Sequence, residues 1–97
     1  MDTLSSELHA FLIRLGKEPD CVSGKIEHYV EHILRLLYPD EEQVLTEYYG
    51  LFGTAVKTLA ELARERNMGA EQMNMMIETA LRKIAVSPEW QMIKQLI

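Results

Sequence analysis

The chain of 97 residues holds one cysteine, three prolines, five glycines and seven aromatic residues, and its bases are outnumbered by its acids. Each scarcity excludes something. A single cysteine, Cys21, forms no internal disulfide, so a reducing cytoplasm is the expected location. No apolar run approaches the roughly 20 residues of a membrane span. The N-terminus lacks a basic stretch followed by an apolar core, so no secretory leader is expected. With 10 Lys+Arg against 15 Asp+Glu the formal charge is −5, unfavourable for non-specific binding to nucleic acid or acidic lipid. Low-complexity tracts, internal repeats and strand-like alternation are absent. The length fits one domain and leaves little room for a large active-site cleft. A chain of this size buries only about 60–65% of its unfolded surface, which keeps its stability margin small.

What is present is apolar residues, 47% of the chain, at helical spacing. Leu4, Leu8, Phe11, Leu12 and Leu15 mark a first helix, which Gly16 is expected to end. Residues 17–24, with Pro19 and Gly24, read as a loop. Ile26, Tyr29, Val30, Ile33, Leu34 and Leu37 mark a second helix over 25–37. Pro39 with Asp40, Glu41 and Glu42 suits the start of a third over 40–49, although Tyr38 offers no short acceptor as a cap. Gly50 ends it, and 51–56 form a linker anchored by Leu51 and Phe52. Thr58 with Glu61 matches a capping box and opens a fourth helix over 59–66. Asn67 or Gly69 takes the positive φ of the following turn. A fifth helix spans 70–84, with Met73, Met76, Ile77, Ala80, Leu81 and Ile84 inward and Met75 outward. Ser87, Pro88 and Glu89 start a last helix over 88–96 that presents Trp90, Ile93 and Ile97 or Leu96 inward. The expected fold class is all-α, five or six short helices.

Charge is unevenly divided. Residues 1–50 hold ten acids and four bases, a net of −6, and residues 51–97 hold five acids and six bases, a net of +1. The mean of −5 hides an acidic half and a near-neutral half, which hints at two different surfaces.

Catalytic constellations are weak. His28-Tyr29-Val30-Glu31-His32 matches the five-letter H-x-x-E-H zinc-peptidase pattern, but those enzymes need a third protein ligand and a larger scaffold. Cys21 has no neighbouring base in sequence. The expectation is therefore no enzyme, no metal and no cofactor. The helices over 59–66 and 70–84, joined by a tight turn, have the outline of a helix-turn-helix, whose second helix can lie in a DNA major groove.

Leu37-Tyr38-Pro39-Asp40-Glu41-Glu42-Gln43-Val44-Leu45 followed by Tyr49-Gly50-Leu51 resembles the "L-x-P-x-E-x-x-V-L … Y-G-L" segment in the fourth region of sigma-70 family RNA polymerase sigma factors. Thr58-Leu59-Ala60-Glu61-Leu62-Ala63 is similar to the opening of that region's helix-turn-helix, and Ala80-Leu81-Arg82-Lys83-Ile84 to its close. The resemblance covers about residues 34–97. It implies a sigma region four-like helix-turn-helix domain over 34–97 with an N-terminal helical extension over 1–33. In the family this domain contacts the promoter's −35 element and the flap of the polymerase β subunit, and it is the usual target of anti-sigma proteins.

The departures fall on the recognition helix. Where the family carries "T-R-E-R-[VI]-R-Q-I-E", this chain reads Gly69-Ala70-Glu71-Gln72-Met73-Asn74-Met75-Met76-Ile77. Ala70, Gln72 and Asn74 stand at the three arginine places, and Met75 at the glutamine. Arginine on guanine is the commonest specific base contact, worth about 1–3 kcal/mol per pair, and each lost cation also weakens the phosphate contribution. The DNA-facing candidates that remain are Gln72 and Asn74 for adenine edges, Glu71 for cytosine, Met75 beside them, and Lys57, Thr58, Arg66, Arg82 and Lys83 for phosphates. Two readings follow. One is a sigma-like transcription regulator that binds DNA, alone or with RNA polymerase. The other is a protein-interaction module, polymerase-binding or sigma-mimicking, that has lost DNA reading. A homodimer through Leu8, Phe11 and Leu12 would bring two weak half-sites together. If residues 1–33 pack on their own domain instead, those side chains are buried within the chain.

Overall fold

Short polar side chains set most of the helix starts. An Asp2 carboxylate oxygen accepts from Ser5 N–H at 2.8 Å, and Ser23 Oγ accepts from Ile26 N–H at 3.3 Å. Thr58 Oγ1 accepts from Glu61 N–H at 3.1 Å, and Ser87 Oγ from Trp90 N–H at 3.2 Å. Such caps contribute about 1 kcal/mol each. Tyr38 and Gly69 lack the acceptor, and there the third helical residue reaches back. Glu41 accepts from Tyr38 N–H at 3.1 Å and Gln72 from Gly69 N–H at 3.0 Å.

The computed structural model describes residues 2–97, which are helical without a strand: α1 (Thr3–Lys17), α2 (Gly24–Leu34), α3 (Pro39–Tyr49), α4 (Leu59–Glu65), α5 (Ala70–Ala85) and α6 (Pro88–Leu96). Two short 3₁₀ turns, Pro19–Cys21 and Leu51–Gly53, lie between them. No described helix is long and apolar enough to cross a membrane.

The long α5 is the hub, with α1, α3, α4 and α6 all packed on it. Its inward stripe, Met73, Ile77, Ala80, Leu81 and Ile84, is buried in one apolar cluster that also takes Leu8, Leu12 and Leu15 from α1 and Trp90 and Ile93 from α6. The Phe11 ring lies 5.3 Å from the Trp90 ring, and α2 covers α6 from the other side. Leu8 and Leu12 are thus spent inside their own chain, with Phe11 half-buried beside them, and the face expected to dimerise through α1 is already covered.

Several details differ from the sequence expectation. Gly16 does not stop α1; it lies inside the helix, against the carbonyl oxygen of Tyr49, which a Cβ there would overlap. The glycine serves the close approach of α1 to the end of α3. The second helix stops at Leu34 rather than Leu37, and i to i−3 hydrogen bonds carry the chain through Leu36 and Leu37. Pro39 holds Tyr38 in the extended region, so no helix runs on into α3; Leu37 is nonetheless buried. Leu4 and Tyr29, and both Leu96 and Ile97 at the end of α6, are inward by spacing but sit at the margins of their apolar faces and are exposed. In the turn between α4 and α5 the positive φ falls on Asn67, at 54°, and Gly69 is extended. Gly50 closes α3 at φ 66° as expected, and Leu51 is fully buried.

Helix propensity alone would make Gly16→Ala stabilising by up to about 1 kcal/mol. The overlap with Tyr49 predicts the opposite sign, a loss of about 1–3 kcal/mol. Urea unfolding of the variant decides it, and a gain in stability would contradict the contact.

Candidate functional site

The residues that the sequence nominates lie at the entry to α4, in the turn after it, and on α5. Spacing of three and four along α5 puts Glu71, Asn74, Met75 and Arg82 on exposed positions, with Glu78 half-buried between them. Leu59, Ala70, Glu71, Asn74 and Met75 line one shallow depression between the two helices. Met75 is 66% exposed, as its register requires. The outward row of α5 therefore carries two acids, Glu71 and Glu78, and one base, Arg82. Gln72 is not free to grip an adenine edge with its whole amide, because its carbonyl oxygen caps Gly69.

Three of the four cations nominated for phosphates, Lys57, Arg66 and Lys83, are hydrogen-bonded to carboxylates, and the fourth, Arg82, only lies near one. Lys57 Nζ lies 2.6 Å from Glu47 and 2.9 Å from Glu65. Arg66 Nε donates to Asp40 at 3.0 Å, and its side chain is only 15% exposed. Lys83 Nζ meets both Glu41 oxygens at 3.0 Å and sits 4.8 Å over the Tyr38 ring. Arg82, more exposed, lies 3.9 Å from Asp2. Lys94, outside the nominated set, pairs with Glu7. Thr58 spends its hydroxyl on the capping box with Glu61.

A single pattern runs through these pairs. Five of the six bases in residues 51–97 bind an acid from residues 1–50: Lys57 to Glu47, Arg66 to Asp40, Arg82 to Asp2, Lys83 to Glu41 and Lys94 to Glu7. Arg64 alone has no such partner among the described residues. The charge asymmetry between the halves is thus largely internal pairing.

The pairs are not equal. Glu47 and Glu41 are buried acids. The hydrogen bond from Lys57 holds the Glu47 carboxyl below its usual range against the opposing effect of burial. Glu47, and then Glu65, in turn raise Lys57 above the ordinary lysine value. Asp2 is also lowered, but first by the N–H of Ser5 and only weakly by Arg82. The Arg82 pair is the loosest of the set.

No model of a known protein family, no curated protein and no solved structure gives a match to this chain.

The remaining candidates stay apart from this surface. His28 and His32 are both exposed on α2, and no group of three or more His, Cys, Asp or Glu side chains among the described residues is placed to hold a metal ion. Cys21 is half-buried in its 3₁₀ turn. A phenol–imidazole pair that the sequence does not signal joins α1 to α3: the Tyr49 hydroxyl and His9 Nδ1 are 2.6 Å apart, and burial raises the Tyr49 pKa. The acids Asp40, Glu41 and Glu47 were missed as well. Their only sequence signal was the surplus of negative charge ahead of residue 50.

Two outcomes follow from the Lys57–Glu47 pair. Lys57→Ala leaves the buried Glu47 carboxylate without its partner and lowers the urea midpoint clearly more than Arg82→Ala does. A depressed carboxyl contributes stability above its unfolded value of 4.5 and loses it as pH falls through the folded value. As pH falls below 4.5 the wild type therefore loses stability more steeply than Lys57→Ala does. Equal slopes in the two proteins would contradict the pairing.

Proposed function

We propose that this chain is a sigma region four-like module of transcription regulation that works by binding protein, with the flap of the RNA polymerase β subunit as partner, instead of reading DNA. The observation that carries this reading is the engagement of Lys57, Arg66, Arg82 and Lys83 with Glu47, Asp40, Asp2 and Glu41. A phosphate backbone would have to displace a carboxylate already in place at Lys57, Arg66 and Lys83. The three arginines of the resembling recognition helix are replaced by Ala70, Gln72 and Asn74, and the outward row of α5 is slightly acidic. Both facts lower the electrostatic part of DNA affinity.

What the face offers a protein is more favourable. Met75 stands exposed beside Ala70 and Leu59, and a flexible thioether on a shallow apolar depression makes an adaptable contact. The family's flap-binding role supplies the partner through the resemblance over residues 34–97. A polymerase-binding or sigma-mimicking regulator would keep the scaffold and lose the reading head.

Fluorescence anisotropy with duplex DNA and biolayer interferometry with purified RNA polymerase test the two halves of the proposal. The expected result is no salt-dependent DNA binding even at about 20 mM salt. Polymerase should be retained, and Met75→Glu should weaken that binding by about tenfold or more. Tight DNA binding that weakens with salt and with Arg82→Ala plus Lys83→Ala would overturn it, as would failure to bind polymerase.

A further inference from the structure

A pocket of about 500 Å³ opens where α1, the end of α3 and the extended stretch before α4 meet, a volume within the range of small-molecule sites. One stripe of α1 forms a wall of it: His9, Ile13, Gly16 and Lys17, three and four residues apart or adjacent. Gly16, pressed on the Tyr49 carbonyl, brings α1 and α3 together there. Tyr48 and Tyr49 close the α3 side, their rings edge to face at 5.0 Å, and the segment from Val56 to Leu59 forms the third. Ile13 and Tyr48 are half-buried. Val56 is 68% exposed, so a substitution there leaves the core alone.

We infer that this pocket binds a small amphipathic organic anion, an aromatic monocarboxylate of two fused rings, with its carboxylate on Lys17 and its rings against Ile13, Tyr48 and Val56. Charge names the ligand first. No carboxylate lines the pocket, although the chain carries 15 acids against 10 bases. Its cations are Lys17 and Lys57. Lys57 is spent, because Glu47 and Glu65 hold its ammonium. Lys17 is exposed on the last turn of α1 and has no ion pair among the described residues, so its charge is available for a charge-assisted hydrogen bond. His9 engages the Tyr49 hydroxyl through Nδ1, and its Nε2 has no hydrogen-bond partner among the described residues. Shape names the rest. Ile13 and Lys17 are one helical turn apart, about 6 Å along the axis, so a flat ring system resting on Ile13 brings its carboxylate to Lys17. The Tyr48 and Tyr49 rings, fixed against each other, give those rings an aromatic neighbour. Leu59 lines both this pocket and the depression beside Met75, so the anion sits next to the candidate face without covering Met75.

Titration of isotope-labelled protein with 2-naphthoate, followed by backbone amide chemical shifts, tests this, with 2-naphthamide as the uncharged analogue. The expected result is saturable shifts centred on Ile13, Lys17, Tyr48 and Val56, with a dissociation constant of about 0.1–1 mM. The amide should bind about tenfold more weakly or worse. Lys17→Gln should weaken naphthoate by about fivefold to tenfold and leave the amide unchanged. Val56→Glu, which sets a like charge at the pocket, should weaken naphthoate by about tenfold or more. No saturable shift up to about 5 mM would overturn the proposal. So would equal affinity for the amide, or naphthoate binding that survives both substitutions. Shifts centred on the groove between α2 and α6 would also overturn it, by showing that naphthoate seeks apolar surface in general.

Discussion

The acids of the first half of the chain hold the bases of the second. Lys57, Arg66, Arg82, Lys83 and Lys94 each meet a carboxylate from residues 1–50, and the pairs tie α1 and α3 to the segment running from α4 to α6. Exposed pairs such as Arg82 with Asp2 contribute little, because solvent screens them. The weight lies with Glu41 and Glu47, which are buried and would be left without a counter-charge if their lysines were removed. The apolar cluster on α5 supplies most of the folding energy. The ion pairs decide how charge is displayed over that core.

The cations beside α4 and α5 face carboxylates of the same chain: Lys57 meets Glu47, Arg66 meets Asp40 and Lys83 meets Glu41. Gln72 is likewise committed, as the cap of α5. Exposed on the same side of α5 are Met75, Ala70 and Asn74 beside Glu71, with Arg82 further along the helix. The groove between α2 and α6 is a second apolar surface on a different side.

Much of the fold was legible in the sequence. All six helices follow from apolar spacing, and the Thr58–Glu61 box, the Ser87–Pro88 start and the Gly50 end follow from local chemistry. The outward register of Met75 is also a matter of helical period alone. The role of Gly16 was not legible, because it is set by the Tyr49 carbonyl on another helix, and local rules can only assign a glycine the commoner task of ending one. The stop of α2 at Leu34 was hidden for a similar reason: the apolar side chain of Leu37 stays buried whether or not the backbone around it is helical. The candidate site was half legible. The positions of Lys57, Arg66 and Lys83 could be named, whereas their partners could not, since Glu47, Asp40 and Glu41 reach them only after α3 has packed beside α5. The uneven charge of the two halves was the one visible trace of that pairing.

The dependence of stability on salt tests this account most directly. Urea unfolding in sodium chloride from about 0.01 M to about 0.3 M spans weak to strong screening. If opposite charges of the two halves are paired in the native state, screening removes more attraction than repulsion, and the unfolding midpoint falls as salt rises. If the charges of a −5 chain instead act mainly by mutual repulsion, screening relieves it and the midpoint rises; that result would contradict the account.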